Sequence, residues 1–241
     1  MFPAIYPLVI LLGLGLAGWL LQRRYQRSDL NREQRSALGI ALFVGCMVGA
    51  RLPFLIDPSQ PFSGLWLADG KTILGGILGG YFSVEVAKWL TGVQERTGDY
   101  YAAPLAMAVA VGRLGCFLGG CCFGAVSELP WAMVFPLADD PVGVCRHPTQ
   151  LYEAAFHFAA LGLILLAEHK AILKGRRLGI YLASYLVFRF ATEFIRPEAR
   201  ILGGLTAYQL ASMGLLVALA MVELRYSSFR APSSDQAPEV R

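Results

Sequence analysis

Seven apolar stretches of about 20 residues constrain this chain more than any other feature. A helix needs about 20 consecutive apolar residues to cross the hydrocarbon core of a bilayer. The 241 residues are 56% hydrophobic and 16% charged, and a soluble domain carries roughly 25% charged residues. We therefore expect an all-α, polytopic membrane protein with about seven transmembrane helices, at residues 3–22, 36–56, 72–91, 100–122, 149–167, 178–196 and 205–223.

The distribution of basic residues predicts the orientation of these helices. No basic residue precedes the first apolar stretch, and Arg23 and Arg24 follow it, which predicts a retained first helix with its N-terminus outside. Most of the 21 basic residues then lie on the cytoplasmic side. We expect a single transmembrane domain at residues 1–226 and a disordered cytoplasmic tail at residues 227–241. Basic residues gather at helix ends, so we expect no nucleic-acid partner.

Glycines are frequent, and they weaken one of the seven stretches. The 26 glycines of the chain indicate close packing between helices. The third stretch contains four of them, together with Glu85. This composition leaves open a broken or partly re-entrant segment, which a membrane tolerates only where protein buries it or water lines it.

Two arginines are expected within or near the edge of membrane helices: Arg113 in the fourth stretch and Arg189 in the sixth. A charge at the centre of a membrane helix costs at least ~2.5–3.5 kcal/mol and usually faces a polar cavity. Guanidinium also binds phosphate through two parallel hydrogen bonds. A membrane cavity with two arginines indicates an enzyme or a transporter that handles a phospholipid headgroup.

Three polar segments accompany these arginines, and each has a purely structural alternative. The first, Gly112 to Gly124, surrounds Arg113 with glycines and could equally be a small-residue packing face. The second runs from Arg146 to Glu153, and its polar residues could simply begin a helix. In the third, the i, i+4, i+8 spacing places Tyr185, Arg189 and Glu193 on one helical stripe; the alternative is a buried structural ion pair.

The cysteines Cys116, Cys121 and Cys122 lie within seven residues. Their spacing differs from that of ordinary zinc-finger ligands, and no His-x3–5-His follows. They could be small packing side chains, or Cys121 or Cys122 could form a disulfide with Cys145 at an oxidising outer face. A metal-binding or catalytic thiol is the third alternative.

Together the three segments resemble the prolipoprotein diacylglyceryl transferase family over roughly residues 4–222. The resemblance rests on Gly112-Arg113-Leu114-Gly115, His147-Pro148-Thr149-Gln150-Leu151-Tyr152-Glu153, and Tyr185, Arg189, Glu193 and Arg196 at the family's spacing. Tyr6 and Gly75-Gly76 also match family positions. The family histidine before Gly-Gly is Leu74 here, and the family asparagine after Gly-Arg-x-Gly is Cys116.

The resemblance implies a transferase that moves diacylglyceryl from phosphatidylglycerol to a lipobox cysteine of a preprolipoprotein, and it requires no cofactor and no metal. It implies catalytic roles for Arg113, Arg189, His147, Tyr185 and Glu193. It also implies substrate-binding roles for Tyr6, Arg196, Gln150, Tyr152, Glu153, Gly112, Gly115, Gly75 and Gly76. Its partners would be phosphatidylglycerol, the lipobox peptide and membrane lipids. The expected location is the bacterial plasma membrane, with the site toward the outer leaflet.

Two other functions remain compatible with the sequence. Because Leu74 replaces the family histidine, the chain could be a paralogous lipid or thiol transferase that uses Cys116, Cys121 or Cys122. It could also be a phospholipid-binding membrane protein without catalytic activity.

Overall fold

The computed structural model describes residues 5–51, 72–135, 143–198 and 200–228. Helices dominate these ranges, as the sequence predicts. The described α-helices are α1 (Ile5–Tyr25), α2 (Arg32–Gly49), α3 (Ile73–Thr91), α4 (Gly98–Gly119), α5 (Thr149–His169), α6 (Arg177–Thr192) and α7 (Ala207–Ser228). A short 3-10 helix, Glu193–Ile195, continues α6.

Two small antiparallel hairpins lie between the helices. The strands β1 (Met133–Val134) and β2 (Cys145–Arg146) pair with Met133 opposite Arg146, before α5. The strands β3 (Arg200–Leu202) and β4 (Leu205–Thr206) pair with Arg200 opposite Thr206, before α7. The expected tail at 227–241 lies almost wholly outside the described residues, and α7 ends at Ser228.

Four helical segments are long and apolar enough to span a membrane: Ile5–Tyr25, Gly98–Gly119, Thr149–His169 and Arg177–Ile195. The apolar part of α7, Ala207–Met221, is shorter. The helix α2 begins with Arg32, Glu33 and Arg35, so charge shortens its apolar length. The described part of the chain is therefore predominantly helical, with four candidate membrane spans.

The described residues divide into two compact units. One comprises residues 1–21 and 97–241, and the other comprises residues 22–96. The boundary falls within α1. The first unit contains most of α1 and the helices α4 to α7, and the second unit contains α2 and α3.

In the second unit, α2 and α3 pack backbone against backbone. A Cβ atom added to Gly79 would lie 2.1 Å from the carbonyl oxygen of Gly45, and one added to Gly49 would lie 2.3 Å from that of Gly75. The Ser83 hydroxyl crosses the same contact and donates to the Ala41 carbonyl at 2.6 Å. The helix α3 is continuous from Ile73 to Thr91, so the segment is not broken. Its glycines lie at the close contact with α2.

We expect Gly79→Ala to destabilise the second unit by about 1–3 kcal/mol, because its methyl group would overlap the backbone of α2. The measurement is thermal unfolding in detergent, followed with a thiol-reactive dye. The matched control is Gly39→Ala in α2, where nothing lies within 4 Å of the added Cβ. Equal melting midpoints for the two variants would contradict the packing role of Gly79.

Candidate active site

Three arginines and two glutamates form a buried cluster in the first unit. Their side chains are at most 8% exposed, and those of Glu153 and Glu193 are fully covered. Buried charges must be paired, because an isolated ion loses its hydration without compensation. The pairing divides the cluster into two groups.

The first group is built around Glu153, near the start of α5. Its Oε2 lies 2.6 Å from Nη2 of Arg113 on α4, and its Oε1 pairs with Nη2 of Arg196, just after the 3-10 helix. One carboxylate thus bridges two arginines from different elements. The contact with Arg196 is a charge-assisted hydrogen bond, a class about twice as strong as neutral hydrogen bonds. The contact with Arg113 is an ion pair without hydrogen-bond geometry. Glu153 therefore holds both guanidinium groups close to one carboxylate.

The second group pairs Arg189 with Glu193, 2.8 Å apart. The helix α6 ends at Thr192, so Glu193 belongs to the following 3-10 turn rather than to a continuous helical stripe. The Thr206 hydroxyl donates to the other Glu193 oxygen at 3.0 Å. The guanidinium of Arg189 also lies 4.9 Å from the centre of the Tyr208 ring. This cation–π contact gives the Arg189 side chain a second partner.

Tyr185 lies beside both groups. It is 1% exposed and within electrostatic range of Glu153, Arg113 and Arg189. Arg113 approaches its hydroxyl as a donor, but the contact falls outside hydrogen-bond geometry in the described part of the chain, and Nε of Arg113 and Nε of Arg196 likewise have no hydrogen-bond partner there. Buried donors are normally satisfied, so these three groups have capacity left for a ligand.

His147 lies at the edge of this region, where the chain enters α5. Its Nδ1 is 3.3 Å from the Tyr152 hydroxyl, which also accepts a hydrogen bond from Trp131 Nε1 at 2.7 Å. His147 is half-buried, and its backbone pairs with Gly124 and Ala125. Tyr152 therefore contacts the His147 ring, and Trp131 in turn holds the Tyr152 hydroxyl.

The segment after α4 turns back toward α5 and is held there. Gly120 caps α4 in the left-handed conformation at φ +73°. The side chains of Gln150 and Thr149 donate to the carbonyls of Cys121 and Cys122, at 2.6 and 2.9 Å. At Gly124 the segment runs between His147 and Ile195, and a Cβ added to Gly124 would lie 2.7 Å from the His147 Cβ and from the Ile195 carbonyl oxygen.

The turn gathers the three clustered cysteines. The sulfur atoms of Cys116, Cys121 and Cys122 all lie within 4.8 Å of one another, and all five cysteines are free thiols. Hydrogen bonds from the Cys116 and Cys121 thiols hold the pKa of the Cys122 thiol below its usual range, helped by the charges of Arg113 and Arg196. Cys145 is outside this group.

The remaining sequence candidates occupy packing positions. Tyr6 on α1 covers Gly119, and Ile10 of the same helix covers Gly112 and Gly115. Gly75 and Gly76 lie in the second unit, against the Gly49 and Cys46 carbonyls of α2. In the structure these glycines allow neighbouring helices to pack closely.

Sequence reasoning missed several partners of the site, namely His157, Tyr181, Thr206 and Tyr208. His157 is fully buried on α5, and its Nδ1 lies 2.8 Å from the Tyr181 hydroxyl. Its ring centre is 4.7 Å from that of Tyr185. The available signal was its i+4 spacing from Glu153, which places it one turn further along the same face.

Comparison with known proteins identifies the family of this chain. A family model described as prolipoprotein diacylglyceryl transferase matches residues 4–224. The chain is 33% identical over 234 residues to a phosphatidylglycerol–prolipoprotein diacylglyceryl transferase of Pseudomonas fluorescens strain SBW25, covering 90% of this chain and 84% of that protein. It is 35% identical over 239 residues to the protein of the same name from Vibrio vulnificus strain CMCP6, covering 90% and 82%. The chain belongs to the prolipoprotein diacylglyceryl transferase family.

Proposed function

We propose that this protein transfers the diacylglyceryl group of phosphatidylglycerol to the lipobox cysteine of a preprolipoprotein, and that the buried arginine cluster binds the phosphate. Its relatives carry the name of this activity. The observation that supports the role of the cluster is its incomplete pairing. Three arginines face two glutamates, which leaves one positive charge in excess, and buried donors remain available.

The excess charge suits a phosphodiester, which carries one negative charge. Nε of Arg113, Nε of Arg196 and the Tyr185 hydroxyl are among the buried donors of the cluster that make no hydrogen bond to described residues, and they would donate to its oxygens. Arg189 adds charge close to Tyr185. Because pairing already fixes the arginines, little reorganisation is needed when negative charge develops on the leaving phosphate.

In the proposed reaction, the thiolate of the lipobox cysteine attacks the glyceryl carbon that bears the phosphate ester. A carbon–sulfur bond forms and the carbon–oxygen bond breaks. The bonding electrons leave with the oxygen, and glycerol phosphate departs as an anion. Arg113 and Arg189 would stabilise that anion, and Glu153 and Glu193 would hold the arginines in position.

We propose His147 as the base that removes the thiol proton. The family histidine is Leu74 here, so that position cannot accept a proton. In the tautomer that acts as a base, Nδ1–H of His147 donates to the Tyr152 oxygen, which also accepts from Trp131. The lone pair on Nε2 is then available to the thiol.

We further propose that the chain lies in the bacterial plasma membrane with about seven spans, an outer N-terminus and a cytoplasmic C-terminus. Basic residues support this orientation. Arg23 and Arg24 lie in the last turn of α1. The connection between α5 and α6 contains four more: Lys170, Lys174, Arg176 and Arg177. The site lies toward the C-terminal end of α4 and the N-terminal end of α5, away from these basic residues. It would therefore open toward the outer leaflet.

The phosphate role predicts that Arg113→Ala and Arg189→Ala each reduce transfer by about 100-fold or more, since removing one preorganised donor of a developing anion costs that much. The assay combines purified protein, phosphatidylglycerol and a lipobox peptide, and follows glycerol phosphate release and peptide mass together. The control, Arg176→Ala, removes an exposed arginine that pairs with exposed Glu223. Full activity of either site variant, with an unchanged melting midpoint, would refute the role.

The proposed base predicts a loss of rate. His147→Gln should lower transfer by about 100-fold or more, because glutamine cannot accept the thiol proton and a positioned general base contributes at least that much. His169→Gln, at the exposed end of α5, is the matched control and should keep the rate of the unmodified protein. An unchanged rate in His147→Gln would exclude this base.

The orientation predicts opposite results for two fusions. A reporter enzyme that folds only outside the cytoplasm should be active when fused after Glu128, beyond α4. It should be inactive when fused after Gly175, between α5 and α6. Activity after Gly175 and none after Glu128 would invert the proposed orientation.

A further inference from the structure

The three gathered thiols of Cys116, Cys121 and Cys122 form a site beside the phosphate cluster that the transfer reaction does not use. We propose that this cysteine triad binds one thiophilic d10 metal ion, of the Zn²⁺ or Cu⁺ type, through three sulfur ligands. The proposal is independent of the transfer reaction, because none of the observations that support it involves a substrate or a transfer step.

The distances between the sulfur atoms support coordination by all three. They lie within 4.8 Å of one another. Metal–sulfur bonds of about 2.3 Å in a tetrahedral site place sulfur atoms roughly 3.8 Å apart, so an inward movement of about 1 Å or less closes the triangle. A disulfide would use only two of the three sulfurs and would leave the third unexplained.

The backbone holds the triad in this arrangement. Gly120 reverses the chain at the end of α4, and the Cys121 N–H donates to the Cys116 carbonyl at 3.1 Å. Cys122 adopts φ +61°, a left-handed conformation that costs a residue with a Cβ roughly 1–2 kcal/mol. Thr149 and Gln150 hold the carbonyls on both sides of this bend. A strained backbone held by buried side chains is typical of functional sites.

Softness and charge decide the class of ion. Three thiolates with no carboxylate or imidazole among them favour Zn²⁺ or Cu⁺ over Mg²⁺ or Ca²⁺. Binding would convert the thiols to thiolates, release the protons that they carry, and give a complex with net negative charge. Arg113 and Arg196 lie within electrostatic range of Cys122 and would balance that charge. Exposed Cys121 and Cys122 give an ion access.

The test is metal titration of the full-length protein in detergent. The protein is reduced, and the reductant is then removed under anaerobic conditions. One sample is titrated with Zn²⁺ and a second with Cu⁺, each in competition with a chromogenic chelator. Either ion should bind at one equivalent per chain. Cd²⁺ should give the ultraviolet sulfur-to-metal charge-transfer absorption expected of three thiolates. The two arms also show which ion is preferred.

Matched variants assign the binding to the triad. Cys116→Ser should weaken binding by more than about 100-fold, because even changes outside the ligand shell cost 10–100-fold. The double variant Cys46→Ser/Cys145→Ser should bind like the unmodified protein, since neither cysteine belongs to the triad. A melting curve for each variant confirms folding.

Three results would overturn the proposal. They are equal affinities in Cys116→Ser and the unmodified protein, no stoichiometric binding of Zn²⁺ or Cu⁺, and rapid formation of a disulfide within the triad that blocks metal binding whenever reductant is removed. None of these results depends on transfer activity, so failure of the metal site and failure of the proposed transferase function are distinguishable.

Discussion

The carboxylate of Glu153 has two arginine partners and no contact with solvent, and the site depends on this arrangement. It joins α5 to Arg113 on α4 and to Arg196 beyond α6. Removing one partner of a buried ion pair costs about 3–5 kcal/mol, because the other charge remains buried and uncompensated. Glu153 therefore has two effects at once: it makes three elements meet at the site, and it lets two arginines remain ionised among apolar helices.

The same pairing explains how a cluster that we propose to bind an anion can also be buried in the fold. Fully paired arginines would have no affinity left for phosphate, and unpaired arginines would oppose burial in an apolar environment. The cluster lies between these limits, with two glutamates for three arginines. Tyr208 and Thr206 complete the environment of Arg189 and Glu193 through neutral groups, so they orient this pair without changing the net charge of the cluster.

The sequence predicts the positions of the helices well, but it predicts poorly which distant residues contact one another. Apolar length locates the helices, and the i+4 spacing predicts that Glu193 can reach Arg189, even though α6 ends before Glu193. The pair of Arg196 with Glu153 joins residues 43 positions apart, and only tertiary packing creates it. The glycines of α3 illustrate the same limit: their number predicts close packing, but their partners on α2 emerge only when the two helices meet.

The residues that begin α5 have two roles: some hold the preceding turn, and others contact the groups of the candidate site. Thr149 and Gln150 hold the turn after α4 through its carbonyls, whereas Tyr152 contacts His147 and Glu153 binds the arginines. A substitution at Gln150 would therefore act on the site indirectly, by releasing the backbone that positions the cysteine triad. Gly124 belongs to the same construction, because only a residue without a Cβ fits between His147 and the Ile195 carbonyl. The turn, the start of α5 and the end of α6 are thus one interlocked support for the charges.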